Sequence, residues 1–239
     1  MPNPWFEFKQ FKIHQDKTAM KVGTDGVLLG AWVQLPEKGM ALDIGTGTGL
    51  IALMMAQRNP LLHIRAIEID RDAALQANQN VNESKWSDRI VVENTSFQAY
   101  SSTCSEKFDL LVSNPPFYQT DVKAPHQQRS MARHADVLPP EQLITGAVKL
   151  LSDNGSLAVI LPVEAYPLYA SLAERSGLFE QRKLMVYPTL QKPAARVLVQ
   201  WGKEPARKIE NRELIIEPRQ RHHYSPEYIA LTQAFYLKM

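Results

Sequence analysis

Residues 114–117 read Asn-Pro-Pro-Phe, and a segment of this kind could hold a planar amino group. The amide oxygen of Asn114 and the carbonyl of Pro115 can each accept one N–H hydrogen bond, which would aim the nitrogen lone pair at an electrophile. The two prolines stiffen the loop, and Phe117 offers a ring face on which a flat substrate can stack. We predict that Asn114, Pro115, Pro116 and Phe117 are catalytic and act by positioning. A stiff loop with a packed phenylalanine is the alternative.

A glycine-rich turn lies upstream and reads Asp-Ile-Gly-Thr-Gly-Thr-Gly over residues 43–49. Glycines let a backbone turn sharply and come close to a ligand. A phosphate-binding P-loop would need Gly-Lys-Ser/Thr, but Leu50 follows Gly49. The dinucleotide fingerprint is also incomplete, because position 50 is not glycine. A strand-end acid and a close glycine backbone remain, and these suit either a cofactor or a purely structural turn.

A second acid, Glu68, follows the next apolar run. An acid at the end of a second strand can accept hydrogen bonds from ribose hydroxyls, so we predict that Glu68 binds a nucleoside. Asp70 lies close by, where we expect it to cap the following helix.

The elements that must position these residues alternate between strand and helix. Apolar runs predict strands at 40–44, 63–69, 90–93, 108–113 and 156–161. Helical composition predicts helices at 50–57, 71–83, 140–151 and 164–176. Two more strands, 182–187 and 196–201, have no helix between them and should form an antiparallel hairpin. The pattern predicts an α/β fold with a doubly wound, mostly parallel, seven-stranded sheet. We expect one domain, with residues 1–38 as a cap on a core of residues 39–239.

The composition is that of an ordinary globular protein, with 44% hydrophobic and 22% charged residues among 239. Cys104 is the single cysteine and cannot form an internal disulfide, which suits a reducing compartment. No apolar run is long enough to span a membrane, and the N-terminus lacks the apolar core of a signal peptide. We therefore expect a cytoplasmic protein, and we favour a monomer.

The charge is unevenly distributed, although the net charge is only +2. Residues 182–239 hold 11 lysines and arginines against 5 acids, whereas residues 1–181 hold 16 against 20. A basic tail can attract phosphates, or it can be a solvated surface. Charge alone leaves both explanations equally open.

Residues 119–135 form a polar segment directly after the Asn-Pro-Pro-Phe motif. A polar loop beside a catalytic motif often contacts substrate. We predict that its basic residues bind the phosphates of a nucleic acid, and a solvated loop is the alternative. The predicted substrate-binding residues are Lys123, Arg129, Arg133 and His134. No histidine has a cysteine at metal-ligand spacing, so we predict no metal site.

The glycine turn resembles that of class I S-adenosylmethionine-dependent methyltransferases, whose cofactor has no pyrophosphate. The resemblance implies S-adenosylmethionine as cofactor. Residues 21–30 could simply form a turn in which Thr24 or Asp25 caps a short helix. In similar enzymes this segment packs over the methionine end of the cofactor, and an aspartate after the third strand holds the adenine amino group. Here Ser96 takes that place, and Phe97 could pack on the adenine ring. The implied cofactor-binding residues are Lys21, Thr24, Asp43, Gly45, Thr46, Gly47, Gly49, Glu68, Ser96, Phe97 and Asn114.

The Asn-Pro-Pro-Phe motif matches that of amino-methyltransferases acting on adenine, guanine or glutamine nitrogen. Together with residues 21–29, 68–70, 129–134 and 215–217, it makes the chain similar to the bacterial tRNA(Val) adenine-N6 methyltransferase family. The resemblance implies a Rossmann-like fold, tRNA as partner and methylation of the adenine at position 37.

Four other functions are weighed against this one. A glutamine-N5 methyltransferase of release factors and a guanine-N2 methyltransferase of ribosomal RNA share the Asn-Pro-Pro-Phe motif. An RNA-binding module without catalysis is disfavoured because Asn114 and Glu68 are both present. A nicotinamide-dependent oxidoreductase is disfavoured because the third spaced glycine is absent.

Overall fold

The computed structural model describes residues 3–18, 20–116 and 138–238. Within these ranges it contains ten strands: β1 Trp5–Glu7, β2 Lys12–His14, β3 Gly39–Ile44, β4 Leu62–Glu68, β5 Ile90–Asn94, β6 Phe108–Ser113, β7 Leu151–Pro162, β8 Phe179–Tyr187, β9 Arg196–Gly202 and β10 Glu210–Ile215. The described helices are α1 Thr24–Trp32, α2 Leu50–Arg58, α3 Arg71–Asn82, α4 Phe97–Thr103, α5 Pro140–Leu150, α6 Tyr166–Arg175 and α7 Pro226–Thr232.

Eight strands form one sheet in the order β10-β8-β9-β7-β6-β3-β4-β5, and β1 and β2 form a separate antiparallel pair. β3 is parallel to both β4 and β6, so the strand order reverses direction at β3. β9 is antiparallel to β7 and β8, and β10 is parallel to β8. All strands of the main sheet except β9 run in the same direction, so they end at the same edge. We call this the carboxyl edge and the other the amino edge.

Two hydrophobic clusters cover the faces of the sheet. The first cluster joins α1, α2 and the N-terminal aromatic residues to one face, and the second joins α4, α5 and α6 to the other. The central strands are buried on both sides, as the four consecutive buried residues 110–113 show. This is why their sequences are continuously apolar rather than alternating.

The N-terminal segment packs into the first cluster through Phe8, Phe11 and Ile13. Its chain also pairs with the C-terminal end, because the amide of Lys9 donates to the carbonyl of Phe235 at 2.8 Å. The division into a cap of residues 1–38 and a core of residues 39–239 stays a prediction. No helix within the described ranges is long and apolar enough to cross a membrane.

The predicted α/β class, the mostly parallel sheet and the antiparallel β8–β9 hairpin are confirmed. The predicted count of seven strands is too low by one, because β10 adds to the sheet beside β8. β10 escapes a pattern search because Leu214 is its single buried residue, so it has little apolar signal. The predicted side-chain cap of α1 is wrong, since Gly23 holds the cap position and no side chain bonds there.

Candidate active site

The Asn-Pro-Pro-Phe motif and the glycine turn lie next to each other at the carboxyl edge. Ser113, the last residue of β6, pairs with Ile44, the last residue of β3. The hydroxyl of Ser113, which is 1% exposed, donates to the carbonyl of Ile44 at 3.0 Å and fastens the two strand ends together. Asn114 and Gly45 therefore follow neighbouring parallel strands. Such a point, where the strand order reverses, is the usual ligand crevice of an open α/β sheet.

The three glycines of the turn have left-handed backbones, with φ of 70° at Gly45, 58° at Gly47 and 83° at Gly49. A side chain at any of them would strain the backbone. Gly49 faces α3, where an added Cβ would make an ordinary contact with Ala77 at 3.6 Å. At Gly45 and Gly47 an added Cβ would meet no described atom within 4 Å. These two glycines thus leave a space beside the backbone that a ligand can enter.

Asp43 organises the turn from inside the protein. Its Oδ2 atom accepts hydrogen bonds from the Thr46 hydroxyl at 2.6 Å and the Ala52 amide at 3.1 Å. Among the described residues its Oδ1 atom has no partner, although it is buried. Burial raises the pKa of Asp43 to about 7, the two hydrogen bonds oppose this, and the charge of Glu68 adds to it. An orphaned buried oxygen of this kind fits a site that a cationic ligand completes.

Glu68, the last residue of β4, connects the end of that strand to the glycine turn. Its Oε2 atom accepts the Gly47 amide at 2.8 Å, and its Oε1 atom accepts the Asp70 amide at 3.0 Å. Each carboxylate oxygen keeps capacity for another hydrogen bond. Its predicted contact with ribose hydroxyls stays a prediction that this geometry permits. The predicted cap by Asp70 is confirmed, since its side chain accepts the Ala73 amide at 2.8 Å.

Ser96 and Phe97 lie after β5, which is separated from β6 by β3 and β4. The Ser96 hydroxyl accepts the Ala99 amide at 3.1 Å and caps α4. The Phe97 ring is 5% exposed and packs so closely on α5 that only glycine fits at position 146. Both side chains therefore have structural partners, and their predicted contacts with an adenine ring stay predictions.

Lys21 and Thr24 lie at the start of α1, which also reaches the carboxyl edge. Asp25 shows this, because it pairs with Arg196 at the beginning of β9 at 2.8 Å. The Lys21 amine donates to the carbonyl of Gln15, and Thr24 is exposed. Their predicted contact with a cofactor carboxylate stays a prediction.

The motif itself is only partly covered by the structure. Asn114 is half-buried, Pro115 is buried and Pro116 is exposed. Because Asn114 is half-buried and directly follows β6, it lies at the carboxyl edge, where a substrate can reach it. The predicted residues that lie outside the described ranges are Phe117, Lys123, Arg129, Arg133 and His134.

Asn80 is a residue of the site that sequence reasoning missed. It is 1% exposed on α3, and its amide nitrogen donates to the carbonyls of Thr48 and His14, both at 2.9 Å. Its oxygen accepts the His14 amide at 2.8 Å. Asn80 therefore joins the N-terminal segment to the glycine turn. The sequence holds one weak signal, a polar residue on the apolar stripe of a helix between Ala77 and Val81.

A separate cleft of about 700 Å³ opens at the amino edge, away from these residues. Its two arginines are already engaged, because Arg58 donates to Gly30 O at 2.8 Å and Arg182 pairs with Glu210 at 2.8 Å. Arg182 also donates to Trp32 O at 3.3 Å, so both arginines satisfy carbonyls in the last turn of α1. We assign this cleft a structural role. No group of three metal-binding side chains is found within the described ranges.

Sequence comparisons agree with this geometry. The profile of the family described as "Methyltransferase small domain" matches residues 19–175. A protein of Trichodesmium erythraeum named "tRNA1(Val) (adenine(37)-N6)-methyltransferase" is 51% identical over 98% of both chains. A protein of Bacteroides fragilis with the same name is 45% identical over the full length of both.

Solved structures show the fold. A crystal structure titled as a predicted O-methyltransferase from Agrobacterium tumefaciens has a TM-score of 0.70 and 18% identity, covering 88% of this chain and 96% of its own. A class I S-adenosylmethionine-dependent methyltransferase from Listeria monocytogenes, titled as putative, has a TM-score of 0.59 and 13% identity, covering 87% and 67%. At these identities the likeness extends to the fold alone.

Proposed function

The chain belongs to the methyltransferase small domain family, and from this we propose that it transfers a methyl group from S-adenosylmethionine to the N6 atom of an adenine in tRNA. The proposed target is adenine 37 of tRNA1(Val), which the names of its full-length relatives specify for those proteins. One observation supports the proposal most strongly. The Asn114 loop adjoins the Gly45–Gly49 turn at the point where the sheet reverses its strand order.

The residues at the carboxyl edge fit the proposed cofactor. The open space beside Gly45 and Gly47 admits a ligand against the backbone, and Glu68 can accept hydrogen bonds from ribose hydroxyls. When bound, S-adenosylmethionine supplies an electrophilic methyl group on a positively charged sulfur. Glu68 and Asp43 are the two acids beside this space, and the buried Oδ1 atom of Asp43 has no hydrogen-bond partner among the described residues.

In this proposal, Asn114 and Pro115 bind and orient the adenine amino group. An exocyclic adenine amine is a poor nucleophile because its lone pair is delocalised into the ring. The Asn114 side-chain oxygen and the Pro115 carbonyl accept its two N–H groups and draw the nitrogen toward tetrahedral geometry. The rate enhancement then comes from orientation and electrostatics, without an obligatory general base.

A product analysis tests this proposal. The purified protein is incubated with radiolabelled cofactor and unmodified tRNA(Val), and the RNA is digested to nucleosides. We expect label in N6-methyladenosine that depends on the adenine at position 37. Absence of that nucleoside, with cofactor binding shown by calorimetry, would reject the substrate assignment.

Replacing Asn114 with alanine tests the proposed contact with the amino group. Without the oxygen acceptor, kcat should fall by about 10²–10³-fold, the size typical for a lost transition-state hydrogen bond. Cofactor affinity should fall far less, by less than about tenfold or 1.4 kcal/mol, because Asn114 is one of many residues implied for the cofactor. Asn154→Ala, at an exposed position near the amino end of β7, serves as the control and should retain full activity. An Asn114→Ala enzyme with unchanged kcat would refute the proposed contact.

The rival amino-methyltransferase activities are disfavoured, because the full-length relatives share a tRNA adenine name. Assays with guanine-containing ribosomal RNA fragments and a glutamine-containing release-factor peptide separate them directly. A cytoplasmic location is part of the proposal, since it gives the protein access to tRNA.

A further inference from the structure

Two basic loops from the C-terminal part of the chain lie at the same edge of the sheet as Asn114. The first, residues 188–195, follows β8, and the second, residues 216–224, follows β10. β8 and β10 are parallel to each other, and Tyr187 pairs with Ile215 at their ends. The carboxyl edge therefore continues from the active site to these loops. With neighbouring strands about 4.8 Å apart, the loops begin roughly 14 Å and 19 Å from the end of β6.

We propose that these two loops form a docking surface for the phosphate backbone of the tRNA substrate, beside the proposed methyl-transfer site. The inference rests on the proposed function. The surface consists of Lys192 in the first loop and Arg219, Arg221, His222 and His223 in the second, all exposed. Among the described residues, none of the three cations lies within 4 Å of a carboxylate. They are free to neutralise phosphates.

The backbone holds the two loops together. The amide of Ile216 donates to the carbonyl of Tyr187 at 2.9 Å, and the amide of Glu217 donates to that of Pro188 at 3.0 Å. Because the loops are tied to each other, their cations form one continuous surface rather than two independent tails.

The second loop has an unusual shape that exposes its basic groups. His222 has a left-handed backbone with φ of 67°, a conformation that side-chain-bearing residues seldom adopt. Its amide donates to the Glu217 side chain at 2.8 Å, which draws the only acid of the loop back onto the backbone. The side chains of Arg219 and Arg221 remain exposed to solvent. Glu217 therefore stabilises the conformation of the loop more than it neutralises the positive charge of the arginines.

An exposed apolar residue accompanies these charges. Leu190 is 60% exposed in the first loop, two residues before Lys192. An apolar side chain beside a cation can contact a base or a ribose while the cations bind the phosphates. Folded RNA is also large enough to reach from Asn114 to these loops. These features favour RNA over a protein partner.

The structure divides the basic tail into two groups, which provides a matched control. Arg207 and Lys208 are equally exposed, but they precede β10 at the amino edge, far from Asn114. Charge alone predicts equal effects from removing either pair. The proposed surface predicts that only the carboxyl-edge pair contributes to tRNA binding.

The test compares Arg219→Gln/Arg221→Gln with Arg207→Gln/Lys208→Gln in the full chain. For the first variant, we expect the KM for tRNA(Val) to rise about tenfold or more and the slope of log affinity against log salt to fall by about 1–2, as for one or two lost phosphate contacts. Its kcat at saturating tRNA and its cofactor affinity should match the wild type. The second variant should behave as the wild type throughout.

Three results would overturn the proposal: no change in KM for the first variant, equal losses in both variants, or a loss confined to kcat. Failure of the proposed function is distinguishable from these, because the wild type itself would then neither bind nor methylate tRNA while still binding cofactor. That result would remove the basis of this surface as well.

Discussion

At the scale of single residues, the three glycines of the turn have different surroundings. Gly49 lies against Ala77 at an ordinary contact distance, whereas Gly45 and Gly47 border open space. All three need a left-handed backbone. A sequence pattern cannot show this difference in surroundings, because all three positions carry the same residue type. We propose that a bound cofactor fills the space beside Gly47.

The substitution Gly47→Ala tests this difference. The left-handed backbone should cost about 1–2 kcal/mol of folding stability, and the new methyl group should obstruct the cofactor and weaken its binding by about tenfold, or roughly 1.4 kcal/mol. Thermal unfolding and calorimetry measure the two effects.

Gly177→Ala is the matched control for Gly47→Ala. Gly177 has a similar φ of 77° and open space around it, but it follows α6 away from the site. It should lose comparable stability and keep its cofactor affinity. Equal cofactor affinities in the two variants would mean that the space beside Gly47 is not part of the cofactor site.

At the scale of elements, the glycine turn is held from two directions. Asp43 and Glu68 hold it from the sheet, through Thr46 and Gly47. Asn80 holds it from α3 and binds the N-terminal segment at the same time. The glycine turn and the N-terminal segment are therefore connected by the buried amide of Asn80.

The substitution Asn80→Ala should destabilise the protein by about 2–4 kcal/mol, because it leaves buried peptide groups of His14 and Thr48 without partners. Cofactor binding should weaken as well, since the turn loses a support. Asn82→Ala, an exposed position on the same helix, should change stability by less than about 0.5 kcal/mol. Denaturant unfolding measures both. A stability loss in Asn80→Ala without any effect on cofactor affinity would show that the turn holds its shape unaided.

At the scale of the whole molecule, the charge distribution matters more than the net charge of +2. The basic C-terminal part of the chain reaches both edges of the sheet, so part of its charge lies at the carboxyl edge and part at the amino edge. The affinity for a proposed substrate as large and as charged as tRNA should depend on this distribution of charge, whereas the affinity for a small cofactor should not.

Salt dependence provides the corresponding prediction. With about four to six phosphate contacts, tRNA affinity should fall by about 100-fold or more between 50 and 200 mM salt. Cofactor affinity should change by less than about threefold, because it involves few ion pairs. Filter binding and calorimetry provide the two measurements. A tRNA affinity that is insensitive to salt would favour a protein substrate, as in the glutamine-N5 rival.

The amino-acid sequence by itself determined the local features of this protein. The strands β3 to β9 of the main sheet, the glycine turn and the Asp70 cap follow from propensity, periodicity and short-range hydrogen bonding. Each can therefore be predicted within a window of a few residues. The Thr24 or Asp25 cap is wrong, because Gly23 holds the cap position and no side chain bonds there.

Tertiary structure alone decided which of these local features meet. Asn114 lies beside Gly45 because β6 pairs with β3, and the loops after β8 and β10 reach the same edge because of how those strands run. Neither fact is encoded within a short stretch of chain. Strand order and direction are set by burying many apolar side chains at once, so only the complete fold brings these distant residues together.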